Sequence, residues 1–272
     1  MLSEKLTVLH DNGGSFTDYS NRSVDLTRDL FSFTLTSDDY IYIGFRKPIN
    51  SFFMEISGPT PTTNIISGEF YDGSWTSLAG FFDESSGFKR SGFISWDRGQ
   101  SGEVVTTVNS TELFWYRFSS DAASINLSFK GINIVFSDDN DLKREYYEIA
   151  QFLPNGESSH IMSHVASRDH IVQSLRNGGA FKSNSGTRKD ITAFDLHDAG
   201  QIRLASTYLS LYKIFSSVID DPDDVFRQKA QEYKNNFQFA IRTPFIDLDL
   251  DDDGVKDSSE NKIFRTTRVL RE

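Results

Sequence analysis

The chain has 272 residues, enough for one large or two ordinary domains, so a substantial core can form without covalent staples. It contains no cysteine, which excludes disulfide scaffolds, cysteine zinc sites, thiol nucleophiles and thiol redox switches. Its formal charge of −11, from 28 Lys and Arg against 39 Asp and Glu, argues against nonspecific nucleic-acid binding over the whole surface. No apolar run approaches the roughly 20 residues that span a bilayer, and the opening MLSEKLTVLHDNGG lacks a basic start followed by an apolar stretch. No membrane association and no secretory leader are expected.

The first half is rich in aromatic residues and holds all 3 Trp. In the runs 31–36, 40–45, 51–56 and 113–118, aromatic and β-branched residues partly alternate, as strands require. Turn clusters such as Gly58-Pro59-Thr60-Pro61, Ser86-Gly87 and Ser91-Gly92 separate them at the spacing of an antiparallel sandwich. Glu69-Phe70-Tyr71 and Trp75-Thr76-Ser77-Leu78 read as a hairpin turning at Asp72-Gly73-Ser74. A further strand is expected over 131–136, with the domain boundary just beyond, near 150.

From about residue 158 the period becomes helical. The first helix is opened by serine at 158–159 and closed by Asn177-Gly178-Gly179. A polar stretch, 182–190, leads to a second helix beginning near Asp195 or Asp198, with Ile202, Ala205, Leu209, Tyr212 and Phe215 as its apolar stripe. After the breaker Asp220-Asp221-Pro222-Asp223-Asp224, a third helix spans about 225–239 with Phe226, Ala230, Tyr233 and Phe237 on one face. Three such helices can form a bundle. Beyond Pro244 an acidic loop precedes a basic, strand-like end carrying Arg265, Arg268 and Arg271. In an extended tail these arginines suit an acidic surface on a partner subunit, or solvent.

The sharpest motif lies in that loop. Asp249, Asp251, Asp253, Asp257 and Glu260 fall at positions one, three, five, nine and twelve of an EF-hand-like loop, with Gly254 at six and the Val255 carbonyl at seven. A hard cation needs six to eight oxygens, and the glycine permits the reversal that brings Val255 and Glu260 into reach. Ca2+ is therefore the expected ion. Lys256 replaces the aliphatic residue that pairs such loops, and Pro244-Phe245-Ile246 does not read as an entering helix. The expectation is an isolated loop that holds a local turn, set against an ion-free solvated acidic turn.

Other constellations carry less chemistry. His160 and His164 are four apart, but no adjacent glutamate or third ligand completes a metal site, so they are expected to lie on the surface. No Gly-x-Ser-x-Gly elbow is present, and Gly178-Gly179 ends a helix instead of opening one. No catalytic residue is assigned, and the protein is not expected to be an enzyme. Trp75, Trp96 and Trp115 could line a carbohydrate-binding face of the sandwich, although strand aromatics usually serve the core.

Two segments resemble known phage proteins. Tyr40-Ile41-Tyr42-Ile43-Gly44-Phe45-Arg46-Lys47-Pro48-Ile49, Phe70 to Leu78, and Ser91-Gly92-Phe93-Ile94-Ser95-Trp96 resemble the β-sandwich module of tailed-bacteriophage structural proteins. Asp195-Leu196-His197-Asp198 with Ile202 to Phe215 is similar to the helical part of phage head-to-tail connector proteins, the adaptors. The resemblance implies a virion protein of the neck, assembled in the host cytoplasm as a homo-oligomeric ring, typically dodecameric. It implies docking on the portal protein and on the next neck or tail protein. DNA would pass through the ring without sequence-specific contact.

The sequence thus predicts an α+β chain: an N-terminal antiparallel β-sandwich (1–150), a small helical connector-like bundle (151–243) and an extended C-terminal tail with the acidic loop (244–272). The expected function is that of a head-to-tail connector. The alternative is a carbohydrate-binding or other tail or baseplate structural protein that uses the sandwich for adhesion.

Overall fold

Alternating apolar positions build twelve strands in the first part of the chain. They are β1 (Thr7–Asn12), β2 (Ser15–Asp18), β3 (Phe31–Thr36), β4 (Tyr40–Phe45), β5 (Ser51–Ile56), β6 (Ile66–Tyr71), β7 (Trp75–Ser77), β8 (Phe82–Asp83), β9 (Gly92–Ser95), β10 (Thr106–Val108), β11 (Thr111–Ser120) and β12 (Ser124–Asn133). The structure, a computed structural model, describes residues 6–23, 30–58, 64–97, 99–154, 159–178, 181–184, 187–196, 200–219, 225–242, 246–248 and 261–262. The calcium-loop candidates Asp249, Asp251, Asp253, Val255, Asp257 and Glu260, the 220–224 breaker and the arginine-bearing end lie outside the described residues. Two compact units divide the chain, Met1–Ile134 and Val135–Glu272.

The first unit is an antiparallel β-sandwich. Its larger sheet runs β2-β1-β4-β11-β6-β7, with β10 paired to β11, and its smaller sheet runs β3-β12-β5-β9-β8. Strand alternation places Ile41, Ile66 and Phe118 of the larger sheet opposite Phe52, Met54 and Ile94 of the smaller, all lining one apolar space between the sheets. Phe52 meets Phe118 edge-on with ring centroids 5.2 Å apart. The 69–78 hairpin forms as expected: Tyr71 pairs with Trp75, and Gly73 takes the positive φ of 109° that the tight turn requires. The predicted strand at 131–136 is displaced. β12 starts earlier and stops at Asn133, while Val135 and Phe136 are buried in the second unit.

The second unit is helical. It contains α2 (Asp139–Glu145), a 3-10 segment (Tyr147–Phe152), α3 (Ile161–Asn177), α4 (Gly200–Ser217) and α5 (Val225–Ala240), after the single-turn α1 (Ser20–Ser23) of the sandwich. Leu142 and Ile149 pack with Leu211, Ile214, Phe215, Ala230 and Tyr233, so residues before 150 belong to this core and the division falls at 134/135. The Phe215 and Tyr233 rings stack at 5.6 Å. α2 was not legible as a helix because it is short and nearly all polar. A reciprocal capping box fixes it, in which Asp138 and Asp141 each accept the other's backbone N–H. α3 begins one residue later than a serine cap would place it, at N-cap His160 without a side-chain cap. The polar stretch 182–190 contains a two-stranded hairpin, Phe181–Asn184 with Thr187–Asp190.

Candidate functional site

The two outer faces of the sandwich differ in chemistry. On the smaller sheet, β3 and β12 present a hydroxyl and amide ladder: Ser32 to Ser128 at 2.9 Å and Thr34 to Asn126 at 2.8 Å. That is how a solvated sheet face reads. The β5–β9 side of that sheet carries a buried Phe53–Phe93 ring pair, 5.4 Å apart, whereas the larger sheet's outer face is aromatic across its centre. Its central cross-strand row, from β1 to β7, is Leu9, Tyr42, Arg117, Glu69 and Ser77. Tyr40 lies beside this row on β4, while Trp115, Tyr71 and Trp75 flank it on the other side.

This face has a floor and a rim. Leu9, Tyr42, Val108 and Trp115 are buried, while Phe16, Tyr40, Trp75 and Leu113 pack around them half-buried. Trp115 can lie flat on β4 because its cross-strand partner is Gly44: a Cβ there would sit 2.6 Å from the indole ring. Tyr42 meets Trp75 edge-on at 5.5 Å and Trp115 at 6.2 Å, and Tyr71 meets Trp75 at 5.4 Å. Asp72 braces the turn beside Trp75 by accepting from the Ser74 backbone N–H at 3.1 Å and the Thr76 hydroxyl at 3.0 Å. The Ser74 backbone N–H, with the Thr76 and Ser74 hydroxyls, holds its carboxyl below the usual range.

Arg117 sits at the centre. Its guanidinium carbon is 4.2 Å from the Tyr40 ring centroid and 4.5 Å from that of Trp75, a cation held between two π faces. Its Nε donates to Glu69 Oε2 at 2.5 Å. Burial works against the charge, but the hydrogen bonds to Glu69 and Tyr42 outweigh it and raise the Arg117 pKa above its ordinary value. Burial likewise raises the Tyr42 hydroxyl, against the opposing pull of Arg117. Half-buried aromatic rings around a fixed planar donor and a carboxylate can receive a ligand that is flat and apolar on one side and polyhydroxylated at its edge.

The three tryptophans therefore separate. Trp75 is on the rim, Trp115 is in the floor at 1% exposure, and Trp96 lies in the sandwich interior, 4.7 Å from the Tyr116 ring. Arg117, Tyr40 and Glu69 were missed in the sequence reading. Their only local signal was strand alternation, which places them on one face without showing that they meet.

The His160 and His164 pair is not on the surface. His160 and His164 are 3% and 0% exposed, because α3 turns this face toward α2 and α4 instead of solvent. His164 Nδ1 is 2.9 Å from Ser137 Oγ, and its Nε2 is 3.3 Å from Asp139 Oδ1. Ser137 meets Ser206 at 2.7 Å, and Ser210 donates to Ser167 at 2.9 Å. Burial pushes the Asp139 carboxyl up, but the hydrogen bonds from His164 and from the His160 backbone N–H more than offset this and leave it below its ordinary value. Burial lowers the His160 imidazole pKa against the pull of the Ile149 carbonyl, 3.1 Å from its Nε2. Although Ser, His and Asp are combined here, Ser137, Ser167, Ser206 and Ser210 are all 0% exposed, so their hydroxyls tie helices together. Among the described residues, no group of three or more His, Asp or Glu could hold a metal ion, and no helix is long and apolar enough to cross a membrane.

No family model and no curated protein matches the chain. Among solved structures it is similar to chitosan-binding module 1 of a chitosanase/glucanase from Paenibacillus sp. IK-5, at 12% identity over 48% of this chain and 94% of that module, with a TM-score of 0.28. A selenomethionine-labelled mutant of the same module matches at 12% identity over 48% and 93%, also with a TM-score of 0.28. A likeness this low carries no argument about function.

Proposed function

We propose that the sandwich is a glycan-binding module that uses the outer face of its larger sheet, giving the chain an adhesive role. One observation carries this reading: Tyr40 and Trp75 stand half-buried on a solvent-side sheet face, with Arg117 fixed between them and Glu69 beside it. A sugar ring offers C–H groups to aromatic faces and hydroxyls to the guanidinium and carboxylate. The test is a glycan array with the full chain and with Trp75→Ala. Binding that the substitution abolishes supports the module, whereas wild-type protein that binds no glycan removes it.

A second reading concerns the helical unit. Leu204 of α4 and Val225 and Phe239 of α5 are 51%, 56% and 84% exposed, apolar side chains that a ring-forming neck connector of the kind the sequence resembles would cover with a neighbouring copy. The portal and the next neck or tail protein would be its neighbours in a virion. Native mass spectrometry of the full chain tests it: a discrete closed oligomer supports the connector, and a monomer at all concentrations removes it.

A further inference from the structure

The charges on the aromatic face bear on which glycans it accepts. Arg117 is the one cation among the outward residues of the cross-strand rows around it, and it is already engaged by Glu69 at 2.5 Å, by Tyr42 and by the Tyr40 and Trp75 rings. Among the described residues, the other charges in these rows and in the adjoining turn are negative. Asp11 pairs across β1 with Tyr40, and exposed Asp72 occupies the turn next to Trp75. Along the described rows an anionic ligand would meet Glu69, Asp11 and Asp72, with Arg117, already engaged, as the cation there. Glu69 is 28% exposed on its side chain, accessible enough for its charge to be felt by a bound ligand.

We propose that the Glu69–Arg117 pair is a selectivity device by which the aromatic face accepts glycans without acidic groups and rejects uronate, sialylated and sulfated ones. This rests on the glycan-binding reading above. In a low-dielectric rim a like charge is costly, and neutralising Arg117 removes the fork that otherwise recognises carboxylate or sulfate. Arg117 then offers its remaining N–H groups to neutral hydroxyls only.

The experiment compares wild type and Glu69→Gln, as full chains, on an array that presents each neutral glycan beside its uronate, sialylated or sulfated counterpart. Wild type is expected to bind a neutral glycan about tenfold or more tighter than the acidic counterpart, and Glu69→Gln to narrow or invert that ratio while still binding the neutral form. Wild type that prefers the acidic counterpart, or a Glu69→Gln ratio unchanged in a folded variant, overturns the selectivity device and leaves the glycan reading intact. Wild type that binds no glycan defeats the glycan reading itself. Should Glu69→Gln not fold, the wild-type salt dependence decides. Rejection of the acidic counterpart that weakens at high salt supports repulsion, and acidic binding that strengthens at low salt overturns it.

Discussion

Gly44 and Trp115 face each other across β4 and β11, and the indole ring occupies the space where any other residue's Cβ would lie, 2.6 Å from the ring atoms. The floor of the aromatic face depends on that missing methyl group. Gly44→Ala is expected to force the rigid ring outward at a cost of about 1–3 kcal/mol. Urea unfolding of the full chain would register the loss, and Trp115 fluorescence would shift as the ring gains solvent.

Trp75 and Trp96 make a paired test of rim against core. Trp75→Ala is expected to weaken glycan binding by roughly tenfold or more, with a smaller stability loss than a core tryptophan would cause. Trp96→Ala empties part of the sandwich interior and is expected to cost about 3–5 kcal/mol. Equal stability losses in thermal melts would contradict the placement of the two rings.

His164 is wholly buried between Ser137 and Asp139. Replacing it with alanine leaves a buried hydroxyl network and a mostly buried carboxylate short of partners, at a cost on the order of 3 kcal/mol. His164→Gln, which keeps polar atoms in the space, is expected to lose less. Helical circular dichroism during denaturant titration distinguishes the two.

Acid is expected to destabilise the helical unit in two stages. The His160 pKa is lowered in the fold, so the unfolded chain binds the extra proton first. Stability is full above the unfolded value of 6.5 and falls as the pH drops below it. The Asp139 pKa is also lowered, so its contribution is present above its unfolded 3.8 and disappears as the pH falls through its folded value. Melting temperatures across a pH series should show both declines, and His160→Gln should reduce the first, to which His170 and His10 also contribute because burial lowers their imidazoles too. A melting temperature that is flat between pH 7 and 5 would contradict the His160 assignment.

For the acidic loop at 249–260 we propose Ca2+ as the bound ion, on the spacing of its oxygen donors. Calcium is expected to raise the melting temperature of the full chain and a chelator to reverse the gain, through binding to the native state alone. In Asp251→Ala together with Asp253→Ala, neither addition should change it.

Short-range pattern determined much of this protein. Alternation in 40–45 and 51–56 fixed strands, Asp72-Gly73-Ser74 fixed a hairpin, and the spacing of Ala230, Tyr233 and Phe237 fixed a helix face, because each signal is carried by residues within one turn or strand. The tertiary structure decided what those elements meet. Nothing local separates Trp75 from Trp96, or shows that Arg117 lies between Tyr40 and Trp75, since those contacts depend on the order β4-β11-β6-β7. His160 and His164 looked like a solvated pair because their polarity is local, whereas their burial comes with partners on other helices, Asp139 of α2 and Ser210 of α4. Local sequence set the conformations, and long-range pairing set the chemistry. A side chain's partners and solvent are determined only when distant segments close around it.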